Sequence, residues 1–249
     1  MTPPSEQAGR IEALVRSADP DAVWAAGSAD TVHTGLPDGA ADTPHDVGGL
    51  AAVLALWPVL GSLVTCGELT LHTPVSAYTA DAAAGLPAGT TAHHLLTHAD
   101  GPHALAALTR LAEHLAGSPP AAYAAARIWR PLGMTGTRPV GATLHAPLSD
   151  LARFLRHLLS TADHPIPRAW TAESLRIRTG ELTPARGLLW HPAPAGVWTH
   201  HPADGAGPAL WVSPRHGRWA ALLPGAGRTP AGSLRTAFRE AVFGATTAL

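Results

Sequence analysis

The chain divides into stretches whose apolar positions recur every three to four residues and stretches where they alternate or run unbroken. Residues 5–17 (SEQAGRIEALVRS) have the first pattern, with Ile11, Leu14 and Val15 on one face, and predict an amphipathic helix. DAVWAAGS and TVHTG, within 21–35, predict two short strands. A polar Gly/Pro-rich loop, GLPDGAADTPHD, leads to an uncharged stretch from Val47 to Gly67. That stretch predicts one long apolar helix, kinked at Pro58, reaching about Cys66 and stopped at Gly67. Its length could cross a bilayer. Pro58 and four glycines within it favour a buried core helix instead, with Cys66 expected inside. GELTLHTPVSAY predicts a turn and a short extended piece. TAHHLLTH, HALAALTRLAEHLAG, PAAYAAARIW and LSDLARFLRHLLS predict a helix-rich middle over 91–161, punctuated by Gly117, Pro119 and Pro120. RGLLW, GVWTHH, PALWVSP and RWAALLPG then predict strands, and SLRTAFREAVF a last helix over about 232–242.

This order places strands at both ends and helices between. The terminal segments can share one antiparallel sheet, with the helical block inserted. The expectation is one unit over 1–249: an α/β lobe from 1–45 and 180–249, and a mainly helical lobe from 46–179.

Composition narrows the function. With 249 residues, 46% of them apolar, the chain can bury a sizeable core. Its net charge of −1 offers no basic field for nucleic acid or an anionic membrane surface. No basic head and apolar core of a secretory signal opens the sequence, and one cysteine cannot close an internal disulfide, so a cytoplasmic protein is expected. Lysine and asparagine are both absent, and all 17 basic residues are arginine, a bias that fits a GC-rich genome. Whatever its origin, no lysine can serve as a base or form a Schiff base.

Several pieces, in order, carry a resemblance. HDVGGLAAVLAL, GELTLHTPVSAY, HHLLTHADG, RIWRPLGMTGTRP, HAPLSDLARFLRHLL and PADGAGPALWVSP together resemble the serine β-lactamase and penicillin-binding protein group, especially its class C and esterase-like branch. PLGM-x-x-T after LLTH is the most specific combination. The likeness spans about residues 43–223, and the first 40 residues match poorly. The resemblance implies an α/β fold: an antiparallel sheet flanked by helices, plus a helical lobe. It also implies where chemistry should sit. The group's S-x-x-K pair falls at Gly49 and Ala52, its Y-x-N near Asp100, Gly101 and Pro102, and its K-T-G or H-x-G at His201, Pro202 and Ala203. Without lysine or asparagine, two of those three motifs cannot exist in complete form, so the acyl-serine mechanism is not expected.

Other residues could act in the same cleft. His201 is the candidate acid or base, with Asp100 and His103 as further proton carriers, although fifteen histidines make a plain surface role the simpler one. His200 and His201 should point to opposite faces of a strand, so only one should enter the cleft. Gly49, Ala52, His45, Trp57 and Ala203 are candidates to line a ligand, and the other tryptophans read mainly as packing. His94, His98, Asp100 and His103 invite a zinc reading, but their spacing fits LLTH-x-S-G better, so no metal and no cofactor is expected. The partner is expected to be a small molecule in the cleft, with neither nucleic acid nor membrane. Three readings stay open: a repurposed enzyme of specialised metabolism acting without an acyl-enzyme, by cyclisation, elimination or isomerisation; a pseudoenzyme that only binds; and a hydrolase with an unrecognised nucleophile.

Overall fold

The structure is a computed structural model that describes residues 4–36, 42–98, 101–180, 184–202, 207–225 and 232–244. In chain order the elements are α1 (Pro4–Ala18), β1 (Val23–Ser28), β2 (Val32–Gly35), β3 (His45–Asp46), α2 (Trp57–Thr65), α3 (Ala80–Ala83), α4 (Ala92–Thr97), α5 (Pro102–Ala116) and α6 (Pro120–Ala124). β4 (Arg138–Val140), β5 (Thr143–Ala146), α7 (Leu148–Leu159), α8 (Arg168–Ser174), β6 (His191–Ala193), β7 (Val197–His200), β8 (Ala209–Ser213), β9 (Arg218–Leu223) and α9 (Gly232–Phe243) complete it.

The main sheet has the order β2-β1-β9-β8-β7-β6, and every described pairing in it is antiparallel. The two chain ends meet at its centre, where β1 lies along β9, as the terminal strand patterns predict. Each central strand is divided by its pleat. Trp24 and Ala26, Trp211, and Ala220 and Leu222 face the layer of α1 and α9, where Ile11, Val15 and Phe238 complete a core. Val23 and Ala25, Leu210 and Val212, and Ala221 and Leu223 face the helical lobe. Both faces are covered, so these strands read as unbroken apolar runs. A small sheet, β3-β5-β4, was not predicted. Its strands are two to four residues long and β4 is exposed, so no alternation marks it.

The uncharged stretch is not one regular helix. A 3-10 turn (Gly48–Leu50) runs into a π segment (Ala52–Leu56) and then α2. Pro58 sits at the start of α2 and explains the irregularity. It has no N–H to give to the Leu54 carbonyl, which accepts instead from Trp129 Nε1 at 2.8 Å. The helix stops at Gly67, with φ +77, where Gly67 N–H bonds the Val64 carbonyl and Glu68 N–H the Leu63 carbonyl. Cys66, expected inside, is exposed on this turn. Among the described residues no helix is long and apolar enough to cross a membrane.

Two further corrections concern extended pieces. GELTLHTPVSAY is a closed loop, tied by the Thr70 N–H to Tyr78 Oη at 2.8 Å and ending in a 3-10 turn (Val75–Ala77). RGLLW is irregular, and Leu189 holds φ +63 there. The stretches PLGMTGT and SDLARF do meet. The buried Asp150 carboxylate accepts from Gly136 N–H at 2.9 Å, Thr137 Oγ1 at 2.8 Å and Arg153 at 2.8 Å.

Candidate active-site cleft

A cleft of about 810 Å³ opens where the 3-10 turn, α4, the start of α5 and the β6–β7 edge of the sheet come together. Gly49, Ala52, Thr97, Gly101, His200 and His201 are among the residues lining it. Gly49 and Ala52 thus share one cavity with His200 and His201.

The space beside Gly49 is filled. A side-chain Cβ built there would lie 2.3 Å from Pro202 Cγ. Real Cβ atoms essentially never make such a contact, so a side chain at 49 would have to displace the proline ring. Glycine at 49 therefore does not by itself enlarge the cleft floor.

His200 and His201 both line the cleft, against the expectation that only one could. β7 ends at His200, so the strict alternation of a strand no longer governs His201. His200 is buried, and its Nδ1 lies 2.7 Å from the Leu189 carbonyl oxygen. A carbonyl can only accept, so Nδ1 carries the hydrogen. Burial pushes the His200 imidazole down to about 4, against the Leu189 and Gly49 backbones, which favour the charged form; His191 and His201 push the same way as burial. His200 is thus neutral near pH 7.

His201 is half-buried, with Nδ1 2.8 Å from the Pro202 carbonyl oxygen and its ring stacked on His191 at 6.0 Å between centroids. The same reasoning puts its hydrogen on Nδ1 and, in the neutral ring, the lone pair on Nε2. Leu189 links this wall to α4: its N–H bonds the Leu96 carbonyl at 2.9 Å, while its own carbonyl holds His200. A bulky residue with positive φ is a strained one.

Other candidates fall elsewhere. His103 is exposed on the first turn of α5 and does not line the cleft. Trp57 is fully buried, donates from Nε1 to Ser174 Oγ at 2.9 Å, and packs against Trp170, Trp190 and Phe154. It is a core residue and does not line the cleft. His45 pairs with Ala146 in the small sheet and is also outside the cleft; burial, then His145, lowers its pKa, while Asp42 raises it. Asp100 and Ala203 lie outside the described residues. His94 caps α4, its Nδ1 accepting from Thr91 N–H at 3.3 Å. Among the described residues no three His, Cys, Asp or Glu side chains converge on a metal position. Sequence reasoning missed His200, Thr97 and Thr199 as lining residues. The HH pair was a usable signal for the first; neither threonine had one.

A serine–histidine pair does occur, with Ser213 Oγ 2.8 Å from His216 Nδ1. Ser213 is fully buried at the β8–β9 turn and bonds the Gly196 carbonyl, so it is a structural link. A smaller cavity of about 230 Å³ lies beside α1 and α9, but its Gln7 and Arg218 are bonded to the carbonyls of Ala241 and Val242.

No family model and no curated protein sequence matches the chain. Solved structures do. A β-lactamase from Sulfitobacter sp. EE-36 superposes with a TM-score of 0.78 at 13% identity, covering 97% of this chain and 98% of that one. A simvastatin synthase mutant from Aspergillus terreus gives 0.77 at 14% identity, covering 97% and 98%. A D-stereospecific amidohydrolase from Streptomyces sp. gives 0.71 at 18% identity, covering 97% and 99%. The chain has the serine β-lactamase and penicillin-binding protein-like fold, as its motif order implied. Identities this low carry the fold and no activity.

Proposed function

We propose that this protein is a repurposed enzyme on the β-lactamase fold. It acts on a small organic molecule in the cleft without forming an acyl-enzyme. The observation that carries this is the pairing of two features on neighbouring residues. Pro202 packs into the space where a nucleophile would project from residue 49, and the Pro202 carbonyl fixes His201 Nδ1–H. The first removes covalent chemistry from the turn. The second leaves His201 Nε2 as the base in the neutral ring. A single histidine that takes a proton and returns it suits an isomerisation, an elimination or a cyclisation. His200 stays neutral behind it and adds no competing positive charge.

The test is incubation of a metabolite extract from the source organism with the protein, followed by mass spectrometry. One compound should disappear and a related mass should grow beyond one equivalent. His201→Ala should slow this by roughly 10²–10⁴-fold. Neither a penicillin nor an activated ester should leave a stoichiometric mass increment on the protein. A compound retained unchanged at one per chain, with no turnover, replaces the enzyme by a binder. The plugged turn alone would serve a binder as well; the oriented His201 beside it is what favours the enzyme.

A further inference from the structure

We infer that the ligand of this cleft presents hydrogen-bond donors to its wall: an alcohol, a phenol or an amine, rather than a molecule held there by a carbonyl or carboxylate. The inference deepens the reading above and rests on the cleft being a small-molecule site. It rests on four polar side chains of the wall, Thr97, Thr199, His200 and His201. Thr97 Oγ1 lies 2.8 Å from the His93 carbonyl, 3.2 Å from that of His94 and 2.9 Å from His98 Nδ1. Its hydroxyl proton is taken within α4 whichever of these receives it. Thr199 Oγ1 donates to the Leu210 carbonyl at 3.1 Å. His201 Nδ1–H is held by Pro202 and His200 Nδ1–H by Leu189.

All four side chains line the one cleft, and each has its own proton occupied by a group inside the protein. A hydroxyl whose proton is taken still has a lone pair, and a neutral imidazole with Nδ1–H has its lone pair on Nε2. His200 and Thr97 are buried, and the Gly49 backbone also engages the His200 ring, so the acceptor that this wall turns to a ligand is His201 Nε2. One further neutral donor, Trp190 Nε1, is sealed from solvent and cannot meet a ligand without movement of the wall. Arg186 and Arg239 also line the cleft and are donors by nature, so an anion-recognising alternative has to be measured against the wall.

Equilibrium binding of matched fragments to the full chain makes that comparison: phenol against anisole, aniline against N,N-dimethylaniline, and benzoate as the acceptor-only probe, followed by tryptophan fluorescence. Each donor should bind at least tenfold tighter than its methylated partner, because a polar site left unpaired rejects the analogue that lacks the donor. His201→Phe should abolish the preference while anisole binding persists; Thr199→Val is the second variant should the first not fold. Equal binding within each pair overturns the donor inference and leaves the cleft reading standing. Benzoate binding tightest, and weakened by Arg239→Gln, overturns it in favour of the arginines. Binding by none of the fragments overturns the cleft reading itself.

Discussion

At the scale of single residues, the contact between Gly49 and Pro202 decides what the turn can do. A hydroxymethyl group at 49 would overlap the proline ring. Gly49→Ser should therefore not restore a nucleophile; it should destabilise the protein by about 1–3 kcal/mol, the usual cost of overpacking. Pro202→Gly in the same chain should recover most of that loss. Denaturant unfolding of the two single variants and the double variant measures the coupling, and additive effects would falsify the contact. The residue scale is also where sequence reading was weakest. His45, Trp57 and His103 are residue types that suit a binding site, and each points elsewhere. Residue type is written in the chain, whereas direction depends on which face of an element meets which neighbour.

At the scale of elements, helix periodicity transferred well. α1, α5, α7 and α9 lie where apolar spacing put them, because an amphipathic helix declares its buried stripe locally. β1, β2, β8 and β9 were equally legible. The break inside the 48–65 stretch was legible only as a proline. That Trp129, 75 positions beyond Leu54, gives that residue's carbonyl its hydrogen bond was not. Trp129→Phe keeps the ring and removes the N–H. It should cost about 1–3 kcal/mol, the penalty of leaving a buried acceptor unsatisfied. Asp150→Ala should cost at least as much, since it strands two donors from residues 136 and 137 and the Arg153 guanidinium. Thermal unfolding followed by circular dichroism checks both. A loss within error for Asp150→Ala would mean that water replaces the carboxylate.

At the scale of the whole molecule, His200 ties stability to pH. Its unfolded value is near 6.5 and its folded value about 4. Between these the unfolded chain binds the proton and the folded chain does not, so stability rises with pH across that window. The contribution is complete above about pH 6.5 and is lost progressively as pH falls to about 4; two to three units correspond to about 3–4 kcal/mol. His45, His93 and His157 are each lowered mainly by burial and act in the same sense. Urea unfolding at a series of pH values should show the decline, and His200→Gln should flatten it. An unchanged slope in that variant would place the acid sensitivity on other groups.

The chain alone determined its amphipathic helices α1, α5, α7 and α9, its central strands, the absence of lysine and the motif order that resembles the β-lactamase group, because each is written in local spacing or in composition. Only the tertiary structure decided that Pro202 seats on Gly49, that both His200 and His201 reach the cleft, and that Thr97, Thr199 and the two histidines have their protons held by other groups of the protein. Those facts join residues up to 153 positions apart in the chain, from Gly49 to Pro202. Packing and hydrogen-bond direction arise between elements, so no pattern within one element can state them.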